Sequence, residues 1–474
     1  MTLEDQKLVE EINKLPIDYW NFCKEDTKEY THGIHNYPAM MIYPISRNII
    51  KLVKNIRPVH ALFDPFVGSG TVLVEGMLGG IETVSGSDIN PLALLLTKAK
   101  TTRIEHDALV SQCGSLFKRI SSERQRFDYA LNSIDNYIID VVQLDVTGKK
   151  GWGDEAPKYL KSFCEKNKLD IDVPEFKNIG YWFKPRVILE LAIIKAEIQK
   201  IQDTNIRNYA FVAFSEAIRF VSNRRNGEFK MFRMPAAKVQ KFNPNVFSEF
   251  KKILLRNIDK MDDFCKAIDN KQVKTTVHIH RTNTCTLTNV PDDTFDLVIT
   301  SPPYGDSRTT VAYGEYSRLS LQWINLFDLT DKEIMSIDKY LMGGKRYRNG
   351  FKFTINSPTL RISLEKIMAI DVERAGDVYS FYSDLDASIK SIAEKTKSGG
   401  YQFWVVGNRT VKNELLQTDV ILSELASQYG LITISTIDRN ISNKVMPSRN
   451  SPTNVTGTIS STMTMEHIVV LRKK

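Results

Sequence analysis

The segment that most constrains the fold is a short apolar strand that runs into a glycine-containing turn and then a helix. Ala61-Leu62-Phe63 leads into Asp64-Pro65-Phe66-Val67-Gly68-Ser69-Gly70-Thr71, and an apolar helical stretch follows. Residues 83–88 then predict a second strand, and Asn90-Pro91 predicts a helix start, because Asn is a favoured N-cap and Pro a favoured first helical residue. This strand–helix–strand–helix order predicts an α/β fold with a Rossmann-like, doubly wound, mostly parallel sheet.

The alternation of strands and helices stops near residue 105. Residues 105–274 are mainly helical in pattern, with one apolar stripe at Val187, Leu191, Ile194, Ile198 and Ile201 and another at Phe247, Phe250, Leu254, Ile258 and Met261. Strand patterns return at 276–279, 295–299, 401–406, 431–437 and 467–471. Since a strand–helix–strand unit takes roughly 30 residues, about 140 residues are surplus, enough for a small domain. We predict an α/β domain formed by residues 1–104 and 276–474, interrupted by a mainly helical insertion at 105–275.

Composition excludes several classes of protein. The chain has 474 residues, of which 42% are hydrophobic and 25% charged, as in ordinary globular proteins. It lacks the roughly 18 uncharged apolar residues of a membrane helix, and its acidic start lacks the apolar core of a secretory signal. Five scattered cysteines without a Cys-x-x-Cys pair predict free thiols in a reducing cytoplasm. The net charge of +8 fits nucleic acid as a partner without establishing one.

The glycine turn is compatible with few ligands. A phosphate-binding loop needs a lysine after Gly70, and a dinucleotide fingerprint needs a third glycine where Leu73 stands. S-adenosylmethionine needs only a close-approaching Gly-x-Gly and a nearby acid. Asp88 ends the second strand, where doubly wound folds bind ribose hydroxyls. An adenosyl ligand is therefore the favoured interpretation; a plain tight turn and a capping aspartate are the alternatives.

A second loop follows the apolar strand 295–299 and has the sequence Thr300-Ser301-Pro302-Pro303-Tyr304. Residues at the carboxyl ends of parallel strands line the ligand crevice. Prolines have no N–H to donate, so the carbonyls here can serve as acceptors while Tyr304 supplies a flat face. Such a loop can hold an exocyclic amino group and stack on its ring. A rigid strand-ending turn is the alternative.

These segments together resemble the amino-methylating DNA methyltransferases, particularly the cytosine-N4 type. Residues 64–71 are similar to that family's cofactor loop, and Ser301-Pro302-Pro303-Tyr304 is similar to its catalytic tetrad in the serine form. Residues 31–40 resemble the segment that contacts the methionine end of the cofactor, and 443–447 and 450–452 also resemble the family. The chain departs from the family at Asn283, where an acidic residue usually contacts the adenine amino group.

The resemblance implies a class I S-adenosylmethionine-dependent fold, double-stranded DNA as substrate and a cognate restriction endonuclease as functional partner. It implies catalytic roles for Ser301, Pro302, Pro303 and Tyr304. It implies cofactor contacts for His35, Tyr37, Pro38, Ala39, Asp64, Pro65, Phe66, Gly68, Gly70, Thr71, Asp88, Ile89 and Asn283. The target base would leave the helix and receive the methyl group by direct in-line transfer.

Other activities remain alternatives: adenine-N6 methylation, RNA methylation, or an inactive DNA-binding module of the same fold. Methylation at carbon 5 of cytosine is disfavoured because the chain has no Pro-Cys pair for the nucleophile. His32 and His35 are not interpreted as a metal pair, since Cys and carboxylate ligands are not clustered near them and a sulfonium cofactor needs no metal.

Two basic stretches are candidates for phosphate contacts. Seven basic residues lie between Arg219 and Lys241 with phenylalanines among them, and a second group follows Gly344. The residues predicted to contact DNA are Arg219, Arg224, Arg225, Lys230, Arg233, Lys345, Arg346 and Arg348. Such contacts position the duplex without reading its sequence. A solvated basic face is the alternative, and the helical insertion and residues 330–375 are candidates for target recognition.

Overall fold

The computed structural model describes residues 1–23, 25–148, 151–225, 229–271, 273–306, 309–347, 350–441, 449–450, 460–461 and 465–474. Its centre is a seven-stranded sheet. The strands are β1 (Ala61–Asp64), β2 (Thr83–Asp88), β3 (Thr276–Arg281), β4 (Phe295–Thr300), β5 (Thr396–Val406), β6 (Leu431–Asn440) and β7 (Met465–Lys473). Short antiparallel pairs join Arg409–Val411 to Glu414–Leu416 and Arg449–Asn450 to Ser460–Ser461.

The strand order in the sheet is β3-β2-β1-β4-β5-β7-β6. The first five strands are parallel, and β7 inserts antiparallel between β5 and β6. The predicted mostly parallel, Rossmann-like sheet is confirmed. Because β1 pairs with β2 on one side and β4 on the other, the winding direction reverses there. Ligands of such sheets bind in the crevice at the carboxyl ends of the strands beside this reversal.

Helices cover both faces of the sheet. In chain order they are α1 (Leu3–Asn13), α2 (Tyr43–Lys54), α3 (Thr71–Leu78), α4 (Pro91–Thr101), α5 (His106–Arg126), α6 (Asp128–Asn136), α7 (Ala156–Lys166), α8 (Ile179–Trp182), α9 (Pro185–Gln199), α10 (Thr204–Val221), α11 (Ala236–Lys241), α12 (Val246–Asp269), α13 (Tyr313–Ile324), α14 (Asp331–Tyr340), α15 (Pro358–Met368), α16 (Val372–Lys395) and α17 (Thr418–Ser427). As predicted, Asn90 caps α4: its side chain accepts a hydrogen bond from the Leu92 amide at 3.1 Å. Within the described ranges, none of these helices has the length and apolarity needed to cross a bilayer.

The helices α5 to α12 lie between β2 and β3 in the sequence, yet these two strands pair directly from Thr83↔Thr276 to Asp88↔Arg281. Both predicted apolar stripes of this segment are buried. They belong to the same hydrophobic core as Leu62, Val84 and Leu297 of the sheet. The inserted helices therefore complete the cover of one sheet face. The other face forms a second core under α15, α16 and α17, where the rings of Phe63 and Phe295 stack at 4.6 Å.

Candidate active site

Loops that follow β1, β2, β3 and β4 enclose one cavity of about 280 Å³. Its wall includes Asp64, Pro65, Phe66, Gly68 and Thr71 from the first loop, Asp88 and Ile89 after β2, Asn283 after β3, and Ser301 and Pro303 after β4. The carboxyl ends of parallel strands share one edge of a sheet, so loops distant in sequence meet here. The structure thus places the glycine turn and the Pro-Pro loop on one pocket.

The glycine turn has a backbone that favours glycine at two positions. Gly68 and Gly70 have positive φ values of +49° and +85°, a region that side chains with a Cβ rarely adopt. A Cβ at Gly70 would also lie 3.0 Å from the Thr97 Cα atom. The Thr97 hydroxyl donates to the Gly68 carbonyl at 3.1 Å, and the fully buried Lys100 ammonium donates to the Ser69 hydroxyl at 3.1 Å. Helix α4 therefore fixes the turn from behind.

Asp64 and Asp88 lie on the cavity wall, and each already accepts hydrogen bonds from the protein. Asp88 accepts from the Gly68 amide at 3.1 Å and from the Asn90 amide at 2.8 Å. Asp64 accepts from the Thr300 hydroxyl at 2.8 Å, which ties the end of β1 to the end of β4. Burial raises the pKa of Asp88 to about 6 and the pKa of Asp64 to about 7. Both carboxyl groups consequently titrate near neutrality.

The Pro-Pro loop is held from its own side of the pocket. The Ser301 hydroxyl donates to the Tyr304 hydroxyl at 3.3 Å. Asp306 follows the tetrad, is fully buried, and pairs with the Arg374 guanidinium at 3.1 Å. The Arg409 guanidinium packs against Gly305 so closely that an added Cβ would collide with it. These contacts fix the loop that carries Ser301.

Two tyrosines, Tyr37 and Tyr313, contribute aromatic rings to the cavity wall. Tyr37, Pro38 and Ala39 line the wall together with Tyr313 from α13. The Tyr37 hydroxyl accepts from the Asn90 side-chain amide at 3.1 Å, and its ring lies 6.0 Å from that of Tyr313. Burial raises the pKa of the Tyr37 hydroxyl well above its ordinary value. The segment 37–39 and the glycine turn are thus joined through Asn90.

Four predicted site residues do not line this cavity in the described part of the chain: His35, Gly70, Pro302 and Tyr304. His35 is buried beside a smaller neighbouring cavity of about 70 Å³, where its Nε2 atom lies 3.0 Å from the Ser215 hydroxyl. Gly70 shapes the turn from behind. Sequence reasoning missed Tyr313 and Asp384 on the cavity wall and Lys100 behind the glycine turn, because single residues on helices carry no motif that identifies such positions.

The basic residues predicted to contact DNA fall into two groups. Arg219 and Arg224 are each only 4% exposed. Arg219 donates to the Tyr316 carbonyl at 2.7 Å and stacks on the Tyr316 ring, and Arg233 donates to the Tyr181 carbonyl at 2.8 Å. Arg219 and Arg224 are therefore buried and Arg233 is half-buried, and the guanidinium groups of all three donate to backbone carbonyls of the protein. Their phosphate contacts stay a prediction.

The remaining basic residues are accessible. Arg225, Lys345 and Arg346 are exposed and Lys230 is half-buried, and Lys345 also borders the cavity. The Arg225 amide donates to the Phe232 carbonyl at 2.8 Å, next to an antiparallel bridge between Arg224 and Arg233. Arg348 and the family-like residues at 443–447 and 451–452 lie outside the described residues.

The sequence was also compared with known proteins. No protein-family model matches the chain. The chain is 39% identical over 479 aligned residues to the type II methyltransferase M.MvaI of Kocuria varians, covering 99% of this chain and 97% of that protein. It is 24% identical over 254 residues to the type II methyltransferase M.MjaII of Methanocaldococcus jannaschii, covering 48% of this chain and 46% of the relative. With a near full-length relative and a doubly wound sheet that brings its two motif loops onto one pocket, the chain belongs to the type II DNA methyltransferase family.

Proposed function

We propose that this protein transfers a methyl group from S-adenosylmethionine to the N4 amine of cytosine in duplex DNA. The proposal includes a site-specific role in a restriction–modification system, with a cognate endonuclease as its functional partner. One observation supports it above others: the cofactor-type turn at Gly68 and the loop at Ser301 border the same cavity. The names of both relatives, type II methyltransferases, support the methyl-transfer part of the proposal.

The residues of the cavity fit the cofactor's chemistry. The Asp88 carboxylate suits ribose hydroxyls, and the Asn283 carbonyl oxygen suits an adenine amino group. Tyr37, Pro38 and Ala39 border the place assigned to the methionine end of the cofactor. The carboxylates of Asp64 and Asp88 suit a ligand with a positive charge. When bound, the cofactor supplies an electrophilic methyl group on a sulfonium.

The Pro-Pro loop binds the target amine, which accepts the methyl group. The lone pair of an exocyclic amine is delocalised into its ring, so the amine is a weak nucleophile. The Ser301 hydroxyl and the Pro302 carbonyl accept hydrogen bonds from that amine, which favours a pyramidal nitrogen with its lone pair available. Tyr304 stacks on the base, which has left the helix. The rate gain then comes mainly from proximity and alignment.

Phosphate contacts are assigned to the accessible basic residues Arg225, Lys230, Lys345 and Arg346. Replacing Lys345 with alanine is expected to weaken duplex binding without changing sequence preference, because a phosphate contact carries no base information. The slope of log affinity against log salt should fall by about one. The measurement is fluorescence anisotropy over a salt series.

Lys7→Ala is the matched control for that experiment. Lys7 is exposed on α1, whose Asp5 carboxylate accepts from the Arg472 guanidinium at 3.0 Å near the carboxyl end of the antiparallel strand β7. It therefore lies at the sheet edge opposite the pocket. An equal loss of affinity in both variants would contradict a specific role for Lys345.

Cofactor affinity should fall as the pH decreases. Burial raises the pKa values of Asp64 and Asp88 to about 7 and about 6, so both groups become neutral on mild acidification and lose their attraction for a cationic ligand. The loss should approach about tenfold per pH unit between the pKa values of Asp64 and Asp88, and it should become steeper below that of Asp88, where both groups take up protons. Calorimetric titration across this range measures it. A wild-type affinity that does not change with pH would contradict the assignment, and Asp64→Asn should flatten the upper part of the profile.

The polymer that accepts the methyl group tests the proposal directly. Labelled cofactor is incubated with the protein and either plasmid DNA or a pool of transfer RNA. We expect label in the plasmid and none above background in the RNA. Label confined to RNA would replace the proposal by the RNA-methylating alternative, and cofactor binding without transfer to either polymer would favour the inactive module.

A further inference from the structure

The last strand of the sheet brings an acidic side chain to the Pro-Pro loop. Thr300, at the end of β4, pairs with Trp404 of β5, and Val406 of β5 pairs with His467 of β7. Because β7 is antiparallel to β5, its first residues lie at the edge where the parallel strands end. Glu466 precedes His467 and therefore reaches the edge that carries Ser301 and Tyr304.

An ion pair holds the Glu466 carboxylate there. It is the cross-strand partner of Arg439 on β6, and the two side chains form an ion pair while only 13% and 5% exposed. The Arg439 Nε atom also donates to the Trp20 carbonyl at 2.9 Å, which fixes the guanidinium. The Glu466 carboxylate lies beside the Tyr304 hydroxyl, and burial together with this charge raises the pKa of Tyr304 well above its ordinary value.

The carboxylate determines the direction of the neighbouring hydrogen bonds. An ionised carboxylate only accepts, so the Tyr304 hydroxyl donates its proton toward Glu466. The Tyr304 oxygen is then left to accept, in agreement with the 3.3 Å bond that it receives from the Ser301 hydroxyl. The Ser301 hydroxyl has one proton, and it donates this proton to the Tyr304 oxygen. The Ser301 oxygen can then take part in further hydrogen bonds only as an acceptor.

We propose that Glu466 is a positioning residue for the methyl transfer: through Tyr304 it forces the Ser301 hydroxyl to act as an acceptor for the target amine, and it receives the proton that the amine releases. This inference rests on the proposed function and adds a residue outside the tetrad. The methylated amine releases a proton, and a serine hydroxyl is too weak a base to retain it, so a stronger final acceptor is needed.

The proton balance of this step is complete. The nitrogen lone pair forms the new N–C bond as the C–S bond breaks with its electron pair on sulfur, and the nitrogen then carries one proton too many. That proton passes to the Ser301 oxygen while Ser301 gives its own to Tyr304 and Tyr304 gives its own to Glu466. The amine thereby loses one proton, the carboxylate gains one, and both hydroxyl groups are restored.

The test compares single-turnover rates of methyl transfer in wild type, Tyr304→Phe, Glu466→Gln and the double variant. Tyr304→Phe keeps the stacking ring and leaves the Glu466–Arg439 pair intact, so it tests the path even if Glu466→Gln is poorly folded. Each single change is expected to slow transfer on the order of 10²-fold with little change in KM for DNA. The double variant should be no slower than the slower single variant, because both changes interrupt one path.

Cofactor affinity and thermal unfolding of each variant separate this role from a purely structural one. Wild-type transfer rates in Tyr304→Phe or in a folded Glu466→Gln would overturn the inference, as would rate losses that multiply in the double variant. The base that the wild-type protein methylates is determined in a separate experiment, independently of the variant rates. A wild type that methylates adenine would overturn the cytosine assignment, while the variant rates would still decide the role of Glu466.

Discussion

Replacing Ser301 with alanine is expected to reduce methyl transfer on the order of 10³-fold while leaving cofactor affinity nearly unchanged. The change removes the hydroxyl that accepts from the target amine and leaves the glycine turn untouched. Tyr304→Ala should have a comparable effect through loss of the stacking surface. Single-turnover transfer of labelled methyl groups measures the first quantity, and calorimetric titration measures the second.

The split between the two measurements makes this prediction specific. A variant that unfolds loses both methyl transfer and cofactor affinity. A variant that loses only the function of the acceptor loop loses methyl transfer and keeps cofactor affinity. Cys285→Ser is a matched control, since this residue also borders the cavity but has no assigned role in transfer, and it should retain most activity. Full activity in Ser301→Ala or in Tyr304→Ala would contradict the catalytic assignment of the loop.

Replacing Asp88 with alanine is expected to weaken cofactor binding on the order of 10²-fold. A hydrogen bond to a charged group contributes about 1.5–3 kcal/mol, and about 1.4 kcal/mol corresponds to a tenfold change in affinity. The Asp88 carboxylate is assigned to the ribose hydroxyls and already accepts from the Gly68 amide, so its loss removes both ligand contacts and support of the turn. Calorimetric titration gives the dissociation constant.

Asp88→Asn separates the two contributions, because the amide keeps an acceptor for the Gly68 N–H and loses the charge. Its affinity should fall between those of wild type and Asp88→Ala. Asp170→Ala, at an exposed aspartate of the helical insertion, should bind the cofactor like wild type. Unchanged affinity in Asp88→Ala would remove Asp88 from the cofactor site.

Local patterns predicted the central part of the fold because they depend on short-range chemistry. The turn at 64–71, the Asn90 cap and the apolar strand before Ser301 each follow from neighbouring residues, and all three occur in the structure. Once a parallel sheet is inferred, the meeting of the two loops follows from its topology. Site roles beyond this placement stay predictions.

Features that depend on distant packing were not predictable from the sequence. Arg219 belongs to a basic stretch, yet it is buried against Tyr316, almost a hundred positions later, which charge counting does not reveal. The buried Lys100 and the half-buried Glu466 are single charged residues whose partners lie on other elements. Their positions become evident only when α4 packs behind the turn and β7 inserts beside β5.

The identity of the methylated base tests the central claim most directly. Plasmid DNA methylated with isotopically labelled S-adenosylmethionine is digested to nucleosides and analysed by mass spectrometry, with Ser301→Ala as the blank. The account predicts labelled N4-methylcytosine as the product. Labelled N6-methyladenine would contradict the cytosine assignment, and labelled 5-methylcytosine would contradict the amine-directed chemistry of the Ser301 loop altogether.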